Sequence, residues 1–377
     1  MSIPLYIPRE TKEHEKRVAL VPSVAAKLQK LGLDITLESG AGTAARIPDS
    51  AYTEAGVSLG SVEGAKLIFR VQAPTLEEVA QMPEGALLFS FIYAQREPAV
   101  VKALQERKIT CFAMELVPRI TRAQAMDALS SQAALAGYYA AVLASTQLNR
   151  ILPMMTTAVG SLRPARILVM GAGVAGLQAL ATAKRLGAMI EGYDVRPEVK
   201  EQVQSVGGKF VDTGVNAVGE GGYARELTDE EKQQVEAVLT RHVQQADAVI
   251  TTASIPGKPS PKILTEAQIM GMKNGAVIID LAAEGGGNTP LTKPGETVEV
   301  GPATIVAPLN ITSNLAEHAS ELYSRNLLAL VSLMVAEGEL KLDWEDEVLA
   351  KSVLTHEGEI RNEAAREAVE KQPEGAL

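Results

Sequence analysis

Cysteine is nearly absent. The 377-residue chain holds one, Cys111, so no intrachain disulfide can form and stability must come from buried cores, as in a reducing cytoplasm. Histidine is scarce too: His14, His242, His318 and His356 lie scattered without metal-ligand spacing, and no metal site is expected. Positive charge is in deficit, with 36 Lys and Arg against 46 Asp and Glu and a formal net charge of -10. That excludes nucleic acid as the main partner, because phosphate binding wants a basic face. Acidic small substrates stay open, since a local field need not follow the total. Long apolar runs are also missing. The longest, around 326–336 and 133–144, are too short or too rich in small residues to span a bilayer, and the N-terminus turns charged too early for a secretory signal. A soluble chain is expected, joined to any membrane process only through another subunit.

What is present is size and alternation. At 46% hydrophobic the chain can build two cores. Apolar, β-branched runs at 5–7, 33–37, 65–71, 86–92 and 109–114 alternate with helical patterns at 23–31, 76–81 and 97–107. A second set of strand-like runs follows at 166–170, 189–193, 208–211, 246–251, 275–280 and 304–307. Such alternation predicts an α/β fold of two Rossmann-like, doubly wound parallel-sheet domains, the second with the six strands of a complete dinucleotide-binding sheet. Segments 127–152 and 314–336 read as long helices joining them. The expected domains are 1–126 plus about 315–377, a discontinuous N-terminal α/β domain, and 127–314, a Rossmann domain with the inter-domain helix. The charged tail from Trp344 reads as partly helical.

The sharpest local signal is Gly171-Ala-Gly173-Val174-Ala-Gly176. It follows a strand and opens a helix, the context a pyrophosphate needs: a tight turn at Gly171, close backbone approach at Gly173, and helix–strand packing at Gly176. Free N–H groups and partial positive charge at the helix start would face the phosphates. Asp194 ends the next strand, where a carboxylate accepts from both ribose hydroxyls, which favours NAD(H). Arg196 pulls the other way, because an arginine there accommodates a 2′-phosphate. A similar run, Gly40-Ala-Gly42-Thr-Ala-Ala45, ends in alanine and reads as a strand exit.

Two further segments stand out. The glycine-rich stretch 212–234 is too long for an ordinary connection and reads either as a lid carrying Tyr223 or as plain flexible chain. In Pro118-Arg119-Ile-Thr-Arg122-Ala-Gln124-Ala-Met-Asp127-Ala-Leu-Ser130-Ser131-Gln132, polar groups crowd the start of the helix 127–152. From spacing alone Asp127 is equally a helix-capping carboxylate, Arg119 and Arg122 are equally solvated, and Ser130 and Ser131 are equally small contact residues.

The run Pro8-Arg-Glu-Thr-Lys-Glu-His-Glu-Lys-Arg-Val-Ala-Leu-Val-Pro22 resembles the N-terminal signature shared by alanine dehydrogenases and the NAD(H)-binding alpha subunit of proton-translocating nicotinamide nucleotide transhydrogenase. In the dehydrogenases an arginine, a lysine, a histidine and an aspartate serve the amino acid. Here Arg17 remains, but Gln72, Tyr93 and Glu284 stand at the other three places. The 118–132 segment resembles the transhydrogenase Arg-Gln-Asp loop, which implies that Arg119, Gln124, Asp127 and Ser130 lie by the dihydronicotinamide, with Tyr223 in the mobile loop Gly221-Gly222-Tyr-Ala-Arg-Glu-Leu227. Further matches are Ile250-Thr-Thr-Ala-Ser-Ile-Pro-Gly-Lys-Pro259 and Val277-Ile-Ile-Asp-Leu-Ala-Ala-Glu-Gly-Gly-Gly-Asn288. The family usually has leucine at Ser254.

The resemblance implies NAD(H) held by Gly171, Gly173, Val174, Gly176, Asp194, Val195, Arg196, Gly222, Gln234 and Ser254. It also implies a homodimer, NADP(H) on a partner subunit, a membrane-spanning proton-conducting subunit, and a cytoplasmic location peripheral to the inner membrane. The implied activity is direct hydride transfer between NADH and NADP+, coupled to proton movement. The alternatives are an alanine or other amino-acid dehydrogenase and a non-enzymatic NAD(H)-sensing module.

Overall fold

The computed structural model describes residues 2–215, 227–254 and 259–371. The chain divides into two compact units, Met1–Gln132 with Ser313–Leu377, and Ala133–Thr312. Both are α/β and built on mainly parallel sheets.

The first unit carries an eight-stranded sheet. From one edge its strands are Ser58–Leu59, Leu33–Leu37, Ile3–Ile7, Leu67–Phe69, Leu87–Ser90 and Thr110–Ala113, all parallel, followed by Val353–His356 and Glu359–Ile360. The middle strands are buried at every position, as strands covered on both faces must be. Register aligns Phe69, Phe89 and Phe112 on neighbouring strands, with ring centroids 5.2 and 5.1 Å apart. Each such buried ring contributes about 1.5–3 kcal/mol of apolar burial.

The tail departs from expectation. Helices Glu347–Ser352 and Glu363–Glu370 flank two strands, and Val353–His356 runs antiparallel to Thr110–Ala113, covering what would otherwise be an open edge. Its charged surface disguised a short strand in which Val353, Leu354 and Thr355 are buried.

The second unit is a seven-stranded sheet in the order Lys209–Phe210, Met189–Tyr193, Arg166–Met170, Ala248–Thr251, Ala276–Asp280, Ala303–Val306, Thr297–Val300. The first six are parallel and take the doubly wound order 3-2-1-4-5-6. The seventh, Thr297–Val300, is an antiparallel edge strand whose residues alternate between exposed and half-buried, a pattern too weak to read as a strand beforehand.

The unit boundary falls inside the helix Ala128–Gln147. This helix stops short of the expected residue 152. Pro153 disfavours helical geometry at the residue before it, and the chain turns into an exposed hairpin, Met155–Thr157 with Gly160–Leu162. The helix expected over 314–336 is Ala316–Val331, preceded by a 3-10 turn at Ile311–Leu315 and followed by a small hairpin, Val335–Ala336 with Glu339–Leu340. Among the described residues no helix is long and apolar enough to cross a membrane.

Candidate functional site

In the second unit, the strand Arg166–Met170 runs into Gly171 and the helix Val174–Arg185 begins at once. Gly171 has φ +95°, and a Cβ there would crowd the Thr252 hydroxyl. A Cβ on Gly176 would overlap the Gly171 carbonyl, so only glycine lets the helix approach the turn. Gly173 is different. The one protein atom near its would-be Cβ is an Arg196 guanidinium nitrogen 3.9 Å away, so its concavity is open. It caps the helix without a side-chain acceptor, leaving the first N–H groups to an anion. These features fit a dinucleotide pyrophosphate. Gly137, not singled out in the sequence, serves the same end: a Cβ there would overlap the Ala175 carbonyl, so the long helix packs directly on the start of the fingerprint helix. Val174 is exposed at that helix's first position.

Asp194 follows the strand Met189–Tyr193 and is 9% exposed. Its Oδ2 accepts from the Ala172 N–H at 2.8 Å and from Arg196 Nη2 at 3.0 Å, and its Oδ1 accepts from Arg196 N and Nε at 3.0 and 2.9 Å. Burial pushes the carboxyl up, but the guanidinium and the backbone donors outweigh it and hold Asp194 below the usual carboxylate range. The acid is therefore ionised and aimed, as ribose hydroxyls require. Val195 and Arg196 are half-buried beside it. Gln234, on the helix Asp229–Gln245, donates to the Thr213 carbonyl at 2.8 Å and ties the chain leaving Lys209–Phe210 to that helix. Ser254 is exposed. Gly222 and Tyr223 lie outside the described residues.

A buried polar frame escaped the sequence reading. Asp280, fully buried, accepts from Thr251 Oγ1, the Ala282 and Asn288 N–H groups and Thr292 Oγ1, at 2.6 to 3.1 Å. Asn288, also fully buried, returns bonds to both backbone groups of Ala253 and to the Pro261 carbonyl. Together they fix the loops after Ala248–Thr251 and Ala276–Asp280, the carboxyl ends of strands where a doubly wound sheet binds its ligand. The available signal was an aspartate ending an apolar strand, as Asp194 does. Glu284 accepts from the Asn310 N–H at 3.0 Å.

In the first unit, Asp127 caps the helix Ala128–Gln147. Oδ1 accepts the Ser130 N–H at 2.8 Å and Oδ2 the Ser130 hydroxyl at 2.6 Å. Ser131 donates to Asn326 Oδ1 at 2.7 Å, and Asn326 donates to the Ala125 carbonyl, fastening the 3-10 turn Thr121–Met126 to Ala316–Val331. Arg122 forks onto Asp346 at 2.9 and 2.6 Å, away from any expected ligand role. Arg119 and Gln124 are exposed, and among the described residues their side chains have no hydrogen-bond partner. Asp127 and Ser130 are thus brought together, and each carboxylate oxygen retains acceptor capacity.

Arg17 sits in a buried network. Nε and Nη2 donate to the two oxygens of Glu15 at 2.8 and 2.6 Å, and Nη1 donates to Gln132 at 2.9 Å. Gln72 donates to Glu15 at 2.8 Å, and Ser313 does so at 2.6 Å. Burial raises the Glu15 pKa, but these donors win and take it down to about 2. A cavity of about 330 Å³ opens beside them, lined by Arg9, Glu10, Glu15, Arg17 and the 40–44 turn; no lysine or histidine lines it. Tyr93, with φ +53°, has its N–H bonded to Glu115.

Comparisons with known proteins show the family of the chain. The N-terminal domain family of alanine dehydrogenase/PNT matches residues 6–136, and the C-terminal domain family matches 140–363. The chain is 46% identical to an NAD(P) transhydrogenase subunit alpha chain of Rhodospirillum rubrum, over 94% of this chain and 96% of that one. It is 26% identical to alanine dehydrogenase of Mycolicibacterium smegmatis, over 95% and 94%. A solved transhydrogenase from Sinorhizobium meliloti superposes with a TM-score of 0.87 at 42% identity, over 95% of this chain and 99% of that one.

Proposed function

The chain belongs to the alanine dehydrogenase/PNT family, and from that premise we propose that it is the NAD(H)-binding subunit of a proton-translocating NAD(P) transhydrogenase. In this reading NADP(H) sits on a partner subunit, a membrane-spanning subunit conducts protons, the chain is a homodimer, and it lies at the cytoplasmic face of the inner membrane through those partners. NAD(H) is held by the unit Ala133–Thr312.

One observation carries the choice over an amino-acid dehydrogenase. Amino-acid oxidation needs a cation for the carboxylate and an acid–base group. Here Arg17 is paired with Glu15 and Gln72 donates to the same Glu15; Arg9 still offers the cavity a cation, but neither lysine nor histidine lines it to serve as the acid–base group. Hydride transfer between two nicotinamides needs neither group, only placement of the reacting carbons about 3–3.5 Å apart in a water-poor site.

Bound NADH supplies the hydride. Gly171, Gly173 and Gly176, with the free helix start, hold the pyrophosphate, and Asp194 takes the ribose hydroxyls, with Arg196 steering the carboxylate. Val174, Val195, Gly222, Gln234 and Ser254 complete the proposed cofactor contacts. Asp127, aimed by Ser130, and Gln124 orient the carboxamide and balance the changing ring charge; Arg119 orders the turn and Tyr223 closes over the cofactor. The test mixes the chain with an NADP(H)-binding partner and follows NADH-dependent reduction of NADP+. Transfer should appear with the partner and be absent with pyruvate and ammonia. NADH oxidation by pyruvate and ammonia alone would replace this reading with the dehydrogenase, and NADH binding with no transfer to any partner would replace it with the sensing module.

A further inference from the structure

The second unit has a concavity at the end of its sheet opposite the fingerprint. Arg166 and Met189 open the strands Arg166–Met170 and Met189–Tyr193, and Asp247 immediately precedes Ala248–Thr251. These residues, with Arg150, Arg163, Gln245 and Lys273, line a cavity of about 860 Å³. The strand Arg166–Met170 separates it from Gly171 by about 15 Å, so it is not an extension of the cofactor cleft.

Charge in this cavity runs against the chain's net charge of -10. Four cations, Arg150, Arg163, Arg166 and Lys273, face one carboxylate, Asp247. Asp247 is 4% exposed and acts as the organiser. Its Oδ2 accepts the Arg166 N–H at 2.7 Å, and its Oδ1 accepts from Arg150 at 2.6 Å and Lys273 at 2.8 Å. Two cations from distant segments are thereby pinned on one negative charge, their side chains still 53% and 42% exposed. The Arg166 guanidinium donates to Gln245, a neutral acceptor, at 2.6 Å. Arg163 is exposed and has no ion-pair or hydrogen-bond partner among the described residues. Three positive charges are left uncompensated in one concavity, which focuses the field on a small anion. Leu162 and Met189, 51% and 48% exposed, add an apolar face, and the volume falls in the range of small-ligand sites.

We propose that this cavity binds a small soluble organic polyphosphate, such as a nucleoside polyphosphate, with its phosphates on Arg150, Arg163, Arg166 and Lys273 and its apolar part against Leu162 and Met189. The site is independent of the proposed hydride transfer. The experiment is calorimetric titration of ATP and of pyrophosphate into the full chain saturated with NADH. One site per chain is expected, binding ATP more tightly than pyrophosphate and weakening as salt is raised. Arg163→Ala, at an exposed position outside every packing contact described above, should weaken it roughly tenfold while leaving NADH affinity unchanged. Arg163→Lys should recover some of the loss. No binding to the wild type, equal affinity in Arg163→Ala, or displacement of the anion by added NADH would overturn the proposal. Adsorption to phosphatidylglycerol vesicles without ATP binding would do so as well.

Discussion

The two units build the same parallel core, strand order 3-2-1-4-5-6, and use its switch point in opposite ways. In the second, the first strand runs straight into glycines and a helix, so that backbone lines the concavity proposed above for the dinucleotide. In the first, the strand Ile3–Ile7 runs into Pro8-Arg9-Glu10, and the helix Pro22–Lys30 starts only after a long charged loop. That loop lines a cavity with Glu10, Glu15 and Arg17, which are hydrogen-bonded to other protein groups. Topology offers the crevice; the residues after the first strand decide whether backbone glycines or paired charged side chains line it.

The contrast can be broken most severely in the first unit. Glu15→Gln removes the carboxylate onto which the buried Arg17 guanidinium forks, a loss of up to about 3–5 kcal/mol, to be read by chemical denaturation. NADH affinity of the folded fraction should change little. In the second unit, Gly176→Ala drives a Cβ into the Gly171 carbonyl, and isothermal titration should find NADH binding weakened by well over tenfold together with a stability loss of about 2 kcal/mol. The matching change in the first unit, Gly42→Ala, also crowds its surroundings, meeting Ile47 and Tyr52. It should lower stability and leave NADH affinity alone. Gly173→Ala sharpens the point, because its Cβ meets only the tip of Arg196. Denaturation should be unchanged while NADH binding falls roughly tenfold; unchanged NADH affinity would show that the concavity is not the pyrophosphate seat.

The same carboxylate is also read through pH. The folded Glu15 carboxyl lies at about 2, below its ordinary 4.5. Its contribution is complete above pH 4.5 and is lost as pH falls toward about 2. The stability gap between the wild type and Glu15→Gln should therefore narrow steadily over that acid window and stay flat above it. Thermal melts from about pH 2.5 to about pH 7 measure it.

Legibility followed the same division. Backbone-driven features were readable: the alternation of buried strands, and a glycine fingerprint whose spacing is dictated by sterics. Side-chain networks were not. Nothing in spacing pairs Arg17 with Gln132, or Asp280 with Asn288 and Thr292, because those partners meet only after the sheet forms. Edge elements were lost for another reason. Thr297–Val300 alternates only between exposed and half-buried residues, too weak a contrast to read, and the tail strand Val353–His356 is hidden among charged neighbours. The helix start at Asp127 stood open between cap and ligand group; the structure supplies the cap, with both oxygens on Ser130.

The proposed hydride transfer is tested most directly at Asp127. Asn caps a helix about as well as Asp, so Asp127→Asn keeps the fold and removes the charge. Single-turnover hydride transfer from NADH to an NADP(H)-binding partner, compared with the NADH dissociation constant of the same variant, is the direct measurement. If Asp127 serves the nicotinamide, the rate falls at least roughly tenfold with the dissociation constant nearly unchanged. Equal changes in both, or an unchanged rate, would contradict that role and leave Asp127 as a helix cap alone.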